Sequence, residues 1–344
     1  MSDVAPLVLG LETSCDETSA AVLRGDRELL GHTILSQDAH AVFGGVVPEI
    51  ASRAHLRVID QVVERTLADA AVRSSDLDAI AVTAGPGLIG ALLVGVAWAK
   101  GAAFALHKPL VAVHHMEAHL FATSLEDPQA APPFVALLVS GGHTMLLQVP
   151  AWGVYCMLGA TRDDAAGEAF DKVGKILGLG FPGGPAIERE ARAGDAAAHD
   201  FPRPMIAEGY DFSFSGLKTA VLNRVRALEA ADRLGAEVAN LAAAFQEAVI
   251  EVLVEKTMRA VAETGCARVV LGGGVAASRL LRERLAQRLG DAGQLHFPSP
   301  RLATDNAAMV ARAGLFHYQR GDTAPLDLAA RADLPFPGLD RGPC

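Results

Sequence analysis

Positive charge is in short supply in this sequence: 30 lysines and arginines stand against 40 aspartates and glutamates, a formal net charge of −10. Phosphate contacts supply most of a nucleic-acid binder's affinity, so a chain this acidic is a poor autonomous one. A nucleic-acid substrate would need a local basic strip or a partner. Two strips offer themselves, Lys172, Lys175 and Lys218, and Arg279, Arg282, Arg284 and Arg288, the second reading more simply as a solvated helix face. Cysteine is scarce too. Cys15, Cys156, Cys266 and Cys344 show no short paired spacing, which excludes a zinc knuckle and points to a reducing compartment. Cys15 reads as a small residue in a tight turn rather than a nucleophile. The start, Met1 to Pro6, lacks a basic region before its apolar run, against a signal peptide. An unbroken membrane span is also missing. Ala79 to Ala99 has bilayer length and no charge, but Gly85, Pro86, Gly87, Gly90 and Gly95 cut it into strand, loop and helix. We expect it to be buried core, and the chain to be cytoplasmic with no membrane partner.

What is present is ample apolar material and an internal repetition. With 344 residues, 51% of them hydrophobic, the chain can form two domains with separate cores. In the run Val113 to His119, His115 and His119 lie four residues apart, a spacing that on a helix puts both rings on one face, where they can share a metal. That helix would begin at the end of the strand Leu110 to Val113, where open α/β sheets place ligand sites. The second half has a counterpart: the strand Gln294 to Phe297, then Ala303 to Met309, a helix start that Thr304 or Asp305 could cap. Upstream of each, a strand runs through glycines into a helix: Ala79 to Thr83 into Gly85 to Gly90, and Arg268 to Leu271 into Gly272 to Gly274 and a helix Ala276 to Leu289. Each half opens with a hairpin pattern, Leu7 to Leu23 and Phe134 to Val149. The reading is a duplicated α/β unit with one active cleft between its halves.

Glycine-rich turns supply a second kind of chemistry. In Ser140-Gly141-Gly142-His143-Thr144, after the strand Phe134 to Val139, glycine lets backbone N–H groups approach an anion. Gly272 to Gly274 would add a helix N-terminus. Asp171 and the turn Phe181 to Pro185 could hold a ribose and base. Together they favour a nucleotide site.

Several motifs in this order resemble the TsaD family, the universal tRNA threonylcarbamoyladenosine synthesis proteins once labelled glycoproteases. They are Gly10 to Thr18, Gly44 to His55, the His115/His119 pair, Val139 to Thr144, Asp171-Lys172, Phe212 to Thr219 and Thr304 to Asn306. The resemblance spans Gly10 to about Arg312. It implies a duplicated actin-like ATPase fold of the sugar-kinase and Hsp70 type. An N-terminal lobe of residues 1–130 would be completed by a C-terminal helix at about 305–333, a second lobe would span 131–304, and 334–344 would be a mobile tail. It implies an acyltransferase that moves the threonylcarbamoyl group of threonylcarbamoyl-AMP to N6 of the adenosine beside the tRNA anticodon. It makes His115, His119 and Asp305 ligands of a divalent metal, iron(II) foremost, with zinc or magnesium as substitutes in vitro. Leu138, Val139, Ser140, Gly141, Gly142, Asp171 and Gly184 would contact the donor, or ATP or ADP. Ser278 stands where the family commonly has asparagine, a shorter side chain at a nucleotide contact. The implied partners are tRNA, the actin-like TsaB, the small ATPase TsaE, and a separate synthase that supplies the adenylate.

Such a reaction needs a positioned donor and a group to take the proton from N6. Asp16 and Glu17, in the first hairpin turn, are candidates, although such residues also cap turns or bind partners. Two other enzyme classes remain open. A small-molecule kinase of the same fold would need an acidic Mg²⁺ ligand but no histidine pair. A metalloprotease would place its glutamate directly after the first histidine, whereas Met116 is there and Glu117 is turned about 200° from His115.

Overall fold

The structure, a computed structural model, describes residues 5–37 and 45–341, so Gly44 of the motif that ends at His55 lies outside the described residues. The first hairpin forms as its alternation predicts: β1 (Leu7–Glu12) pairs antiparallel with β2 (Glu17–Arg24), and β3 (Glu28–Ser36) adds to β2. Helix α1 (Pro48–Asp69) starts with proline, whose fixed φ suits a first turn. Then β4 (Ala79–Gly85), α2 (Ile89–Leu106), β5 (Leu110–His114) and α3 (His115–Glu126) follow, with β4 and β5 parallel to β1. The sheet order is β3-β2-β1-β4-β5.

The second sheet starts with β6 (Phe134–Val139), β7 (Thr144–Ala151) and β8 (Val154–Ala160), an antiparallel meander. Helices α4 (Ala166–Ile176), α5 (Gly183–Ala191), α6 (Ser215–Ala230) and α7 (Leu234–Thr264) precede β9 (Arg268–Gly272), α8 (Arg279–Leu289) and β10 (Gln294–His296). β9 runs parallel to β6 and β10 parallel to β9. The chain closes with α9 (Pro300–Ala303), α10 (Ala307–Arg320) and β11 (Leu339–Arg341), giving the order β10-β9-β6-β7-β8-β11. Without β11, the second sheet repeats the strand order of the first.

Two compact units result, Met1–Gln129 with Ser299–Pro337, and Ala130–Pro298 with Gly338–Cys344. The return to the first unit thus comes at Ser299, ahead of the expected 305. The expected mobile tail is partly a strand, because Leu339, Asp340 and Arg341 pair in register with Tyr155, Cys156 and Met157. Cys156 is disulfide-bonded, a departure from what the scattered cysteines suggested.

Each unit has its own core. In the first, Leu9, Leu11, Val22, Val63, Ile80, Val82 and Ala99 interlock; in the second, Val135, Leu137, Phe170, Phe212, Phe245 and Leu271 do. The uncharged run 79–99 is buried throughout β4, but its helical part is core on one face only. Ala91, Leu92, Val96 and Ala99 of α2 are buried, but Ile89, Leu93 and Phe104 are exposed, and α2 is long and apolar enough to cross a membrane.

Candidate functional site

His115 is the first residue of α3, set at the end of β5 as the sequence predicts, and His114 caps the helix by accepting from the Glu117 N–H at 3.3 Å. One helical turn later His119 presents its ring edge-on, with centroids 4.8 Å apart. Asp305 reaches the same place by a long-range route. Gly10 of β1 leaves a gap that a Cβ would fill at 2.4 Å from the Ala307 carbonyl oxygen, so α10 seats closely on β1. Ser19 Oγ accepts from the Ala307 N–H at 3.0 Å. The cap of α10 is Asn306, not Thr304 or Asp305: its Oδ1 accepts from the Met309 N–H and its Nδ2 donates to the carbonyls of Leu302 and Thr304. That division of labour leaves the Asp305 carboxylate to face the histidines.

Asp305 Oδ1 stands 3.4 Å from His115 Nε2 and 3.2 Å from His119 Nε2. Two ligand atoms each about 2.1 Å from a shared metal, at angles of about 90–110°, are about 3.0–3.4 Å apart. Both distances from Asp305 therefore suit one shared ion. Nδ1 of the fully buried His119 has no hydrogen-bond partner among the described residues, and its Nε2 has the Asp305 carboxylate opposite it without hydrogen-bond alignment.

The charges ask for a cation. Burial disfavours charge on His115, but Asp305 and Glu12 outweigh it and lift the imidazole well above its ordinary range. Burial likewise works against the Asp305 carboxylate, yet the two histidines hold it below the usual range. Burial, then Asp305 and Asp16, pushes the Glu17 carboxyl up to about 10, with a hydrogen bond to Asp16 contributing. Burial and the same acids push the Cys15 thiol up, so it is not a thiolate nucleophile. His55 of α1 clamps this acidic turn: Nε2 donates to the Cys15 carbonyl at 2.9 Å and Nδ1 faces the Thr18 hydroxyl at 2.8 Å.

Composition and spacing missed the partner behind His115. Glu12, the last residue of β1, is fully buried; one oxygen accepts from the Ser14 N–H, the other from the Thr83 hydroxyl at 2.6 Å, and that second oxygen lies 3.1 Å from His115 Nδ1. The available signal was an acid closing an apolar strand, since a buried carboxylate requires partners.

The other unit carries the glycine turns. Ser140 Oγ accepts from the His143 N–H at 3.1 Å, and a Cβ on Gly141 or Gly142 would meet nothing within 4 Å. Leu138 and Val139 are buried in β6, so only their backbone could meet a ligand. Asp171 Oδ1 accepts from the Gly183 N–H at 2.7 Å, tying α4 to the first residue of α5. A Cβ on Gly183 would sit 2.3 Å from the Phe170 carbonyl oxygen, whereas one on Gly184 would meet nothing. The expected helix from Ala276 begins instead at Arg279, with Ser278 as its cap: Oγ accepts from the Leu281 N–H at 3.4 Å. The expected basic strips are largely ion-paired. Lys172 and Lys218 bind Asp164, and Arg279, Arg284 and Arg288 bind Glu283, Glu247 and Glu255.

A model of the family described as "TsaD: tRNA N6-adenosine threonylcarbamoyltransferase" matches residues 28–312. The chain belongs to the TsaD family. A tRNA N6-adenosine threonylcarbamoyltransferase of Gemmatimonas aurantiaca is 56% identical, covering 96% of this chain and 98% of that protein. One of Syntrophotalea carbinolica is 52% identical, covering 96% and 97%. Two solved structures share the fold alone: T. kodakarensis HypF (TM-score 0.62, 14% identity, 93% of this chain and 48% of that one) and component A of Acidaminococcus fermentans (R)-2-hydroxyglutaryl-CoA dehydratase (0.54, 13%, 92% and 98%). TsaD membership makes the chain an acyltransferase and displaces the kinase and metalloprotease readings. The geometry agrees on the second, since Glu117 Oε2 is engaged by His317 Nε2 at 2.9 Å.

Proposed function

We propose that this chain moves the threonylcarbamoyl group of threonylcarbamoyl-adenylate to N6 of the adenosine adjacent to the anticodon in tRNAs reading codons that begin with A. The fold would be the duplicated actin-like one, a reading supported by the repeated strand order of its two sheets. The observation that carries the chemistry is the convergence of His115, His119 and Asp305, whose donor atoms all lie within 4.8 Å of one another. These three would hold one divalent metal, iron(II) by family resemblance, with positions left open. Such an ion, when bound, supplies Lewis-acid polarisation of carbonyl or phosphate oxygens.

In the transfer, N6 attacks the carbamoyl carbon, the C–N bond forms, the C–O bond to the adenylate phosphate breaks, and N6 loses a proton. The chain's task is to orient these atoms. Amides of Gly141 and Gly142 would hold the phosphate, with Asp171, Gly184 and Ser278 beside the adenosine. Asp16 and Glu17 are the candidates for taking that proton, and burial together with the neighbouring Asp305 and Asp16 carboxylates raises Glu17 above the usual carboxylate range. The paired lysines and arginines of an acidic chain argue that tRNA binding depends on TsaB and TsaE, after a separate synthase has made the adenylate. The test is mass-spectrometric nucleoside analysis of tRNA incubated with this protein, those partners, the synthase, ATP, threonine and bicarbonate. Threonylcarbamoyladenosine should form with the complete mixture, and its absence there would refute the reading.

A further inference from the structure

The two histidines of the candidate metal centre are wired differently. His119 Nε2 faces the Asp305 carboxylate at 3.2 Å, but its Nδ1 has no hydrogen-bond partner among the described residues. His115 has its Nδ1 3.1 Å from Glu12 Oε2 and 3.2 Å from Ser14 Oγ, and its Nε2 toward Asp305. Glu12 is itself immobilised. It closes β1, is 0% exposed, and is fixed by the Ser14 N–H and the Thr83 hydroxyl from the adjacent strand β4.

From this geometry we propose that Glu12 is a positioning residue for the metal centre, holding the Nδ1–H of His115 so that the Nε2 lone pair is directed at the ion. The inference rests on reading His115, His119 and Asp305 as ligands. A carboxylate only accepts, so the nitrogen facing Glu12 must be the one that carries hydrogen, and a neutral imidazole then has its lone pair on the other. Ligating histidines generally donate their second N–H to such a partner, and loss of it lowers metal affinity about 10–100-fold. Here one buried carboxylate does this for His115 alone. His119 has no such partner at Nδ1 among the described residues, so the two ligands should respond differently to changes behind them.

Glu12→Gln is close to isosteric and tests the wiring. With its amide nitrogen toward His115 it presents N–H to N–H, which is relieved only if His115 moves its hydrogen to Nε2, the ligating position. With the amide reversed it opposes the Ser14 N–H instead. The readouts are zinc affinity by competition with a chromogenic chelator, and the ¹⁵N and ¹H resonances of the histidine rings in zinc-loaded protein. Glu12→Gln should bind zinc about 10–100-fold more weakly and lose the His115 Nδ1–H signal seen in the parent. Thr83→Val, which removes a hydroxyl from Glu12 but leaves the carboxylate, should weaken binding less than about tenfold and keep that signal. A Glu12→Gln chain that binds zinc as the parent does and retains an Nδ1–H on His115 overturns the proposal while leaving the metal centre standing. If the parent binds no zinc, or His119→Ala does not weaken zinc binding, the ligand reading itself falls, and the proposal with it. Should Glu12→Gln fail to fold, Glu12→Asp serves: one methylene shorter, it should lower zinc affinity, and unchanged affinity overturns the proposal.

Discussion

The candidate metal triad and the glycine turns would hold a ligand in opposite ways. In the first unit the work falls to buried polar side chains: Glu12 behind His115, Asn306 on the backbone carbonyls that precede Asp305, His55 on the Cys15 carbonyl of the acidic turn. In the second it is done by what is missing. Gly141, Gly142 and Gly184 border open space, and the groups they offer a ligand are backbone amides. A side-chain site fails when a donor atom or its support is removed. A backbone site fails when an atom is added.

The largest expected effect tests the first half of that contrast. Asp305→Ala or His119→Ala removes a ligand and leaves its neighbours charged and buried, so metal content and transfer activity should fall together, activity by more than about 100-fold. Elemental analysis alongside the nucleoside assay checks this, and a variant that loses metal but keeps activity would sever the triad from the reaction.

A second histidine in the same unit sharpens the point about wiring. His32 on β3 has both ring nitrogens buried without partners among the described residues, and it has no carboxylate behind it. Burial, with help from the Arg301 guanidinium, pushes it down to about 4 from 6.5. The folded state therefore keeps it neutral while the unfolded chain takes up a proton as pH falls below 6.5, so stability is full above that value and declines toward pH 4. Between pH 7 and pH 5 this group should cost the native state about 2 kcal/mol. Urea unfolding of the parent and of His32→Leu at both pH values isolates the effect. Equal pH dependence in the two chains would show that His32 is not so held.

The backbone half is tested by two neighbouring glycines. Gly183→Ala puts a methyl 2.3 Å from the Phe170 carbonyl oxygen and should destabilise the protein by about 1–3 kcal/mol. Gly184→Ala meets nothing within 4 Å, so it should unfold with the parent and show its effect only as weaker adenine-nucleotide binding. Thermal unfolding and calorimetric titration separate the two. Parent-like nucleotide affinity in Gly184→Ala would remove that position from the site.

Sequence spacing made the histidine pair legible because a helix converts four residues into one face. It made the strands and hairpins of both sheets legible because alternation is local. The support of the site was not legible. Glu12 meets His115 across 103 residues and Asp305 meets His119 through the seating of α10 on Gly10, contacts that no periodicity encodes. The same holds for the glycines, since Gly183 and Gly184 are adjacent letters of one composition, and only the approach of Phe170 tells them apart. Nor could the sequence foresee the one-sided burial of α2, whose apolar residues read alike on both faces.

The smallest effect lies at Ser278, where the resemblance implies an asparagine. Its Oγ caps α8 by accepting from the Leu281 N–H, so the hydroxyl is already in use by the fold. Asparagine caps helices as well as serine does and adds an amide N–H₂ that serine lacks. Ser278→Asn should therefore leave thermal stability unchanged and tighten adenine-nucleotide binding by the worth of one hydrogen bond at most, about 0.5–1.5 kcal/mol. It would bring no gain where water already fills the gap. Ser278→Ala removes the cap and should lower stability by about 1 kcal/mol without that gain. Calorimetric titration with ATP or ADP reads the first effect and thermal unfolding the second. A tenfold or greater loss of affinity in Ser278→Asn would mean that the loop between Gly273 and Arg279 is shaped around the serine, and that the adenosine is held elsewhere on this unit.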